Sequence, residues 1–189
     1  KSFFDDKEGY FNLLFVEEYL FRGYSTTDHL SRFYGIGFHY ISQLYLLLAG
    51  SIVKFHEFSD ETSKVLLNHS FVFFTYFLSG IYAKKILNLL IKDNFFSNIF
   101  LVFYLLYPYL LGHSFYNPKD IPFLFAWIFS TYISFEIFLK VLRRENITFL
   151  NIFLLALSTA FLLSIRISGI LIFLQYLIGF IITFKCLND

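Results

Sequence analysis

Five stretches of the chain run for 17 residues or more with almost no charge: Val65 to Ala83, Phe95 to Leu111, Ile121 to Leu139, Ile147 to Ile165 and Ile167 to Phe184. Crossing a hydrocarbon core about 30 Å thick takes roughly 17 to 25 apolar residues in helix. A helix also satisfies its own backbone hydrogen bonds in lipid, which an isolated extended segment cannot. Each run therefore predicts a transmembrane helix. Polar interruptions are few: His69 in the first run, Glu136 near the end of the third, and Gly80 and Asn151 as the other breaks toward mid-span.

Two further apolar stretches are less regular. Ile36 to Val53 contains Gly37, His39, Gln43 and Gly50, all poorly suited to lipid, and is ambiguous: it either lies in the membrane interface, which is the expectation here, or spans, which would put the segment before it in the cytoplasm. Tyr10 to Phe21 places Asn12, Glu17 and Glu18 on one stripe and Phe11, Leu14, Phe15 and Leu20 opposite, which predicts a short interfacial amphipathic helix. The expected architecture is an all-α polytopic membrane protein. Residues 1–64 form an external loop with interfacial helices, and residues 65–189 form a bundle of about five transmembrane helices.

Composition agrees with this pattern and excludes a water-soluble domain. Of 189 residues, 57% are hydrophobic and only 15% charged, and the mean hydropathy is +0.63, too apolar to clothe a soluble surface. Net charge of +1 says little about partners, so the placement of the charges carries the information. Lys84, Lys85 and Lys92 follow the first run, Lys140, Arg143 and Arg144 follow the third, and Lys185 follows the fifth. Alternation puts all of them on one side, which the positive-inside rule makes cytoplasmic. The opposite side carries Lys119 and Arg166. One cysteine, Cys186, excludes an intrachain disulfide, and no basic patch suits nucleic acid. With Lys1 at the start and an apolar run close to Asp189, the chain is expected to be a piece of a longer protein.

Four polar groupings stand out in so apolar a chain. FFDDKEGYF, Phe3 to Phe11, places Asp5, Asp6 and Glu8 before the amphipathic helix. Such acids are either helix caps or a carboxylate pair, one acting as a general base and another steadying it or a divalent metal. GHSFYNPKDIPF, Gly112 to Phe123, collects His113, Asn117, Lys119 and Asp120 between two spans on the external face. Asn117 and Pro118 predict a turn and Pro122 the first turn of a helix, so Asp120 reads as a cap or as a functional acid at the interface. SIRISG, Ser164 to Gly169, leaves Arg166 in a tight turn, where it either anchors a helix end or offers a planar fork to a phosphate. RFYGIGFH, Arg32 to His39, pairs a basic residue with a glycine-rich turn. The five histidines lack zinc spacing, and neither Asn146-Ile-Thr148 nor Asn68-His-Ser70 lies where a sequon is used.

Taken in order, the acidic pair, RFYGIGF, DETSKVLLNHSFVFF, IYAKK, GHSFYNPKDIPF and SIRISG resemble the N-terminal part of bacterial relatives of dolichyl-phosphate-mannose protein mannosyltransferases, family 39 glycosyltransferases of the GT-C class. The resemblance covers most of the chain, with NPKDIPF its most specific stretch. It implies a multi-pass enzyme of the bacterial inner membrane whose active site faces the periplasm. Such an enzyme moves a sugar, with inversion, from a polyprenyl-phosphate donor to a hydroxyl acceptor on protein, lipid or glycan. The family's acidic motif is typically Asp-Glu; Asp5 and Asp6 stand there, with Asp120 as the second acid.

On the same resemblance Arg166, Lys119 and His113 would hold the donor phosphate. Asp6 and Asp120 are the expected ligands of a divalent cation, magnesium or manganese, if one is used. The alternatives are a non-enzymatic transporter or lipid-carrier component, which more often places ionisable groups near mid-span, and a head-group transferase of another class.

Overall fold

The computed structural model describes residues 37–52 and 60–188, and its elements there are all helical. Helix α1 is Gly37–Ile52 and α2 is Asp60–Ile91. Helices α3 (Asn94–Leu106) and α4 (Pro108–Ser114) follow, then α5 (Asp120–Leu142), α6 (Phe149–Ile165), a 3-10 turn (Ile167–Leu171) and α7 (Ile172–Asn188). The chain is an all-α membrane protein. Val65–Ile91, Asp120–Leu142 and Ile167–Asn188 are long and apolar enough to cross a bilayer. Helices α3 and α4 make a fourth crossing when taken together, and α6 is apolar but shorter. Five expected spans thus become three full-length ones, one broken pair and one short helix among the described residues. Tyr10 to Phe21, Asp5 and Asp6 lie outside the described residues.

The break is the main departure from the sequence expectation, which took Phe95 to Leu111 as one transmembrane helix. The axes of α3 and α4 meet at 61°, and the cause is Pro108, which has no N–H to give the carbonyl four residues back, that of Tyr104. In lipid an orphaned carbonyl is costly. Two donors replace the missing one: the Tyr107 N–H at 3.3 Å and the hydroxyl of Tyr76 on α2 at 2.6 Å. Ser79 and the Tyr104 hydroxyl add a second link at 2.8 Å, and the two tyrosine rings stack. The bend is therefore built by Pro108 and held by α2.

Large apolar side chains face outward, among them Phe149 at 82% and Phe103 at 71% exposure, while every buried polar residue among those described is Ser or Thr. That inverts the pattern of a soluble core and suits helices packed in lipid, where small residues let backbones approach. Thr75, Ser79, Ser97, Ser114, Ser134, Ser158, Thr159 and Thr183 donate to carbonyls of their own helices, three or four residues back. Their buried hydroxyls are satisfied before any neighbour arrives.

Helix α5 packs against α2, α6 and α7 and is the axis of the bundle. Its N-terminal end is the most closely packed part: Phe38, Phe71, Val72, Tyr76, Ile121, Ala126, Leu162, Ile165 and Ile172 form the buried core there. Helix α1 docks on that same end. Phe38 and Tyr45 both stack on Phe71, and Ser42 and Tyr45 bond Asn68 and Ser70 at 3.1 and 3.0 Å. Phe38 to Tyr45 spans about 10 Å of helix, but its partners span about 5 Å of α2, so α1 crosses α2 rather than running beside it.

Candidate functional site

The densest polar grouping among the described residues sits where α5 begins, and it is assembled by the chemistry of one short loop. After Ser114 the chain leaves α4, and Asn117 folds it into an Asx turn. Its side-chain Oδ1 accepts from the backbone N–H groups of Lys119 and Asp120 at 3.1 and 2.9 Å. Pro122 then occupies the first turn of α5, where a missing N–H costs nothing. Asn117 thus does the work of closing the helix start that Asp120 was one candidate for, and the Asp120 side chain makes no cap bond.

Asp120 points its carboxylate elsewhere. One oxygen, Oδ1, lies 2.5 Å from Nη1 of Arg166, and the other, Oδ2, accepts from Nδ2 of Asn117 at 2.9 Å. Nδ2 of Asn117 also lies 3.1 Å from Nδ1 of His113, whose ring is flanked by Tyr109 and Tyr116. The Arg166 guanidinium rests over the Phe123 ring, 5.7 Å from its centre. Arg166 is the better buried partner and Asp120 is half-exposed, so the pair stands at the exposed rim of the bundle.

Arg166 is set by its own turn. It ends α6 in extended backbone geometry, with its N–H on the Leu162 carbonyl, and its carbonyl accepts from Gly169 at 3.0 Å. Gly169 is buried against Leu162: a Cβ there would come within 3.0 Å of Leu162 Cγ and 3.2 Å of its carbonyl oxygen. Glycine lets the turn fold flat on α6 and fixes where the arginine emerges. Gly37 makes a still closer approach, since a Cβ on it would fall 1.8 Å from Ser164 Oγ. The stretches GHSFYNPKDIPF and SIRISG, far apart in sequence, are gathered at one end of the bundle, where Gly37 and Phe38 of α1 also pack; Arg32 to Ile36 of RFYGIGFH lie outside the described residues.

Of the expected site residues, His113, Lys119, Asp120 and Arg166 are brought together there. Asp5 and Asp6 lie outside the described residues, so the Asp6 and Asp120 pair is not assembled among them. No group of three His, Cys, Asp or Glu side chains that would hold a metal occurs among the described residues, and both Asp120 oxygens already serve Arg166 and Asn117. The described residues alone do not make a metal site.

Sequence reasoning missed Pro108 and Tyr76, and it read Asn117 as a turn former without its side-chain contacts to Asp120 and His113. Pro108 and Asn117 carried a local signal, a proline inside an apolar run and an Asn three residues before a helix start. Tyr76 carried none. Asn151 also moves: expected toward mid-span, it sits in the first turn of α6, bonded to Thr148 and to Lys140. His69 lies against the backbone of Phe115, near the same loop. Scans against protein-family models, curated proteins and solved structures find no match for this chain.

Proposed function

We propose that the protein is a membrane glycosyltransferase that moves a sugar from a polyprenyl-phosphate donor to a hydroxyl acceptor on the non-cytoplasmic face. The observation that carries this is the Asp120 and Arg166 pair at 2.5 Å, two residues 46 positions apart placed together at the rim of a helical bundle. A lipid-linked donor keeps its tail in the bilayer and its phosphate at the interface, the depth at which a bundle rim lies. The family resemblance of NPKDIPF and SIRISG supplies the reaction type.

In this mechanism the acceptor oxygen attacks the anomeric carbon from the face opposite the phosphate, its proton passes to a carboxylate, and the bond from carbon to phosphate oxygen breaks with inversion. Asp5 or Asp6 takes the proton. Asp120, with both oxygens engaged, steadies the site instead. The polyprenyl phosphate leaves with the bonding electrons and gains a second negative charge, which Arg166 stabilises, with Lys119 and His113 beside it. A divalent cation between Asp6 and Asp120 stays an expectation of the resemblance, and no step above runs through one. On the five-span topology, α6 is the fourth crossing and α1 lies in the interface. The basic end of α5, at Arg143 and Arg144, is then cytoplasmic, and the site faces the periplasm.

A carrier finds its best support in the contacts of Trp127 with Gln175 at 3.2 Å and of Gln175 with Thr131 at 2.9 Å, well inside α5 and α7. These groups satisfy one another and none is ionisable, which suits helix adhesion. The deciding assay is transfer from a polyprenyl-phosphate mannose donor by membranes holding the protein. Asp5→Asn, Asp6→Asn, Asp120→Asn and Arg166→Gln are each expected to cut the rate by about 100-fold or more with membrane insertion intact. Wild-type rates in all four would end the glycosyltransferase assignment.

A further inference from the structure

We infer that Lys85 and Glu136, on neighbouring faces of α2 and α5, form a binding site for the head group of phosphatidylethanolamine from the leaflet at the Arg143 end of the bundle. The inference is independent of the function proposed above. Tyr132, on which the site is built, stands about 18 Å along α5 from Asp120.

Both charges are held on that one tyrosine. The Lys85 ammonium lies over the Tyr132 ring, 5.4 Å from its centre, and over the Tyr82 ring at 4.8 Å. The Tyr132 hydroxyl donates to Oε1 of Glu136, one turn further along α5. Tyr82 packs on Tyr132, Phe125 and Phe129, which ties the cluster across the two helices. The two charges nevertheless do not answer each other. Among the described residues Lys85 meets only aromatic rings, and the Glu136 carboxylate is engaged through Oε1 alone.

Their depth makes this costly. Helix α2 ends at Ile91 and α5 at Leu142, so both charges lie about 9 Å inside the ends of helices long enough to cross a bilayer. Lys85 is exposed there, toward lipid. An aromatic face attracts a cation, but it does not replace the acceptors that an ammonium with three donors loses on leaving water. The acceptor within reach of a lysine side chain at this depth is a phospholipid phosphate at the interface.

Glu136 then selects the lipid. A purely anionic head group would satisfy Lys85 and bring its charge up against the carboxylate. A phosphoethanolamine carries a phosphate and an ammonium joined by an ethylene link, so one head group accepts from Lys85 and donates to Oε2 of Glu136. Phosphatidylcholine has the same charges, but its trimethylammonium has no N–H to give.

The test is native mass spectrometry of the full chain in detergent, titrated with dioleoyl phosphatidylethanolamine, phosphatidylglycerol or phosphatidylcholine. Phosphatidylethanolamine is expected to bind about threefold to tenfold more tightly than either of the others. Lys85→Gln should weaken it by about the same factor. Glu136→Gln should bring it down to the level of phosphatidylcholine without weakening phosphatidylglycerol. Tyr132→Phe, which leaves the ring under Lys85 and frees Glu136, should keep wild-type affinity or better.

If phosphatidylglycerol binds as tightly as phosphatidylethanolamine, the basic end gathers lipid by net charge and the head-group site is overturned. Equal binding of all three lipids, or no effect of Lys85→Gln, overturns it as well. Loss of binding in Tyr132→Phe would reduce the cluster to a clamp between helices. Unchanged size-exclusion profiles and helical circular dichroism separate these outcomes from misfolding, and Glu136→Gln carries the test alone if Lys85→Gln does not fold.

Discussion

Asn117 and Asp120 divide two tasks that their sequence spacing leaves entangled. An Asn before a proline reads as a turn, which Asn117 makes, but an acid within reach of a helix start reads equally as a cap or as a functional acid, so local pattern leaves the role of Asp120 open. What decides between them is Arg166, 46 residues away, which draws the carboxylate off the helix start. No local rule carries that information. One consequence is a difference in stability: Asn117→Ala, which removes the Asx turn, should cost about 1 kcal/mol, whereas Asp120→Asn, which removes a half-exposed ion pair, should cost about 0 to 1 kcal/mol. Thermal unfolding in detergent compares the two. A clearly larger loss for Asp120→Asn would mean that the acid, not the amide, holds the loop.

Among the elements, the bent pair α3 and α4 is the clearest case of tertiary structure completing what sequence begins. Pro108 makes the bend, but its stability depends on the Tyr76 hydroxyl reaching the Tyr104 carbonyl from α2. Tyr76→Phe should therefore destabilise the bundle by about 0.5 to 2 kcal/mol. In a Pro108→Ala background the carbonyl regains an N–H partner and the same substitution should cost less. Equal costs in both backgrounds would break the link between bend and hydroxyl. Helix α1 makes a second prediction. Gly37→Ala would drive a methyl into Ser164 and should cost about 1 to 3 kcal/mol, with partial recovery on adding Ser164→Gly, both read from unfolding in detergent.

For the whole molecule, the apolar runs and their spacing made the helical membrane class legible without any structure, because a long uncharged run has few alternatives. The grouping of basic residues likewise predicts that the Asp120 end and the Arg143 end face opposite sides. Single cysteines at Lys119 and Arg143, in a Cys186→Ser background, test this with a membrane-impermeant thiol reagent on intact cells. Labelling is expected at position 119 and not at 143. The reverse result would put Asp120 and Arg166 in the cytoplasm and exclude an external active site. Lengths and breaks of the spans were less legible, since they depend on where a proline falls and which partner helix answers it. The direct contact of GHSFYNPKDIPF with SIRISG through Asp120 and Arg166 was not legible at all, because it is a property of helix packing.

The buried hydroxyls have a consequence for how the bundle responds to strain. Thr75, Ser114, Ser134 and Ser158 donate to carbonyls of their own helices, so separating two helices breaks dispersion contacts and the cross-helix bonds made by Tyr76, Tyr104, Tyr176, Trp127 and Gln175, and leaves those hydroxyls bonded. Heated, the bundle should lose its contacts between helices before it loses helical content, because each helix keeps its own backbone and hydroxyl hydrogen bonds when its neighbours part.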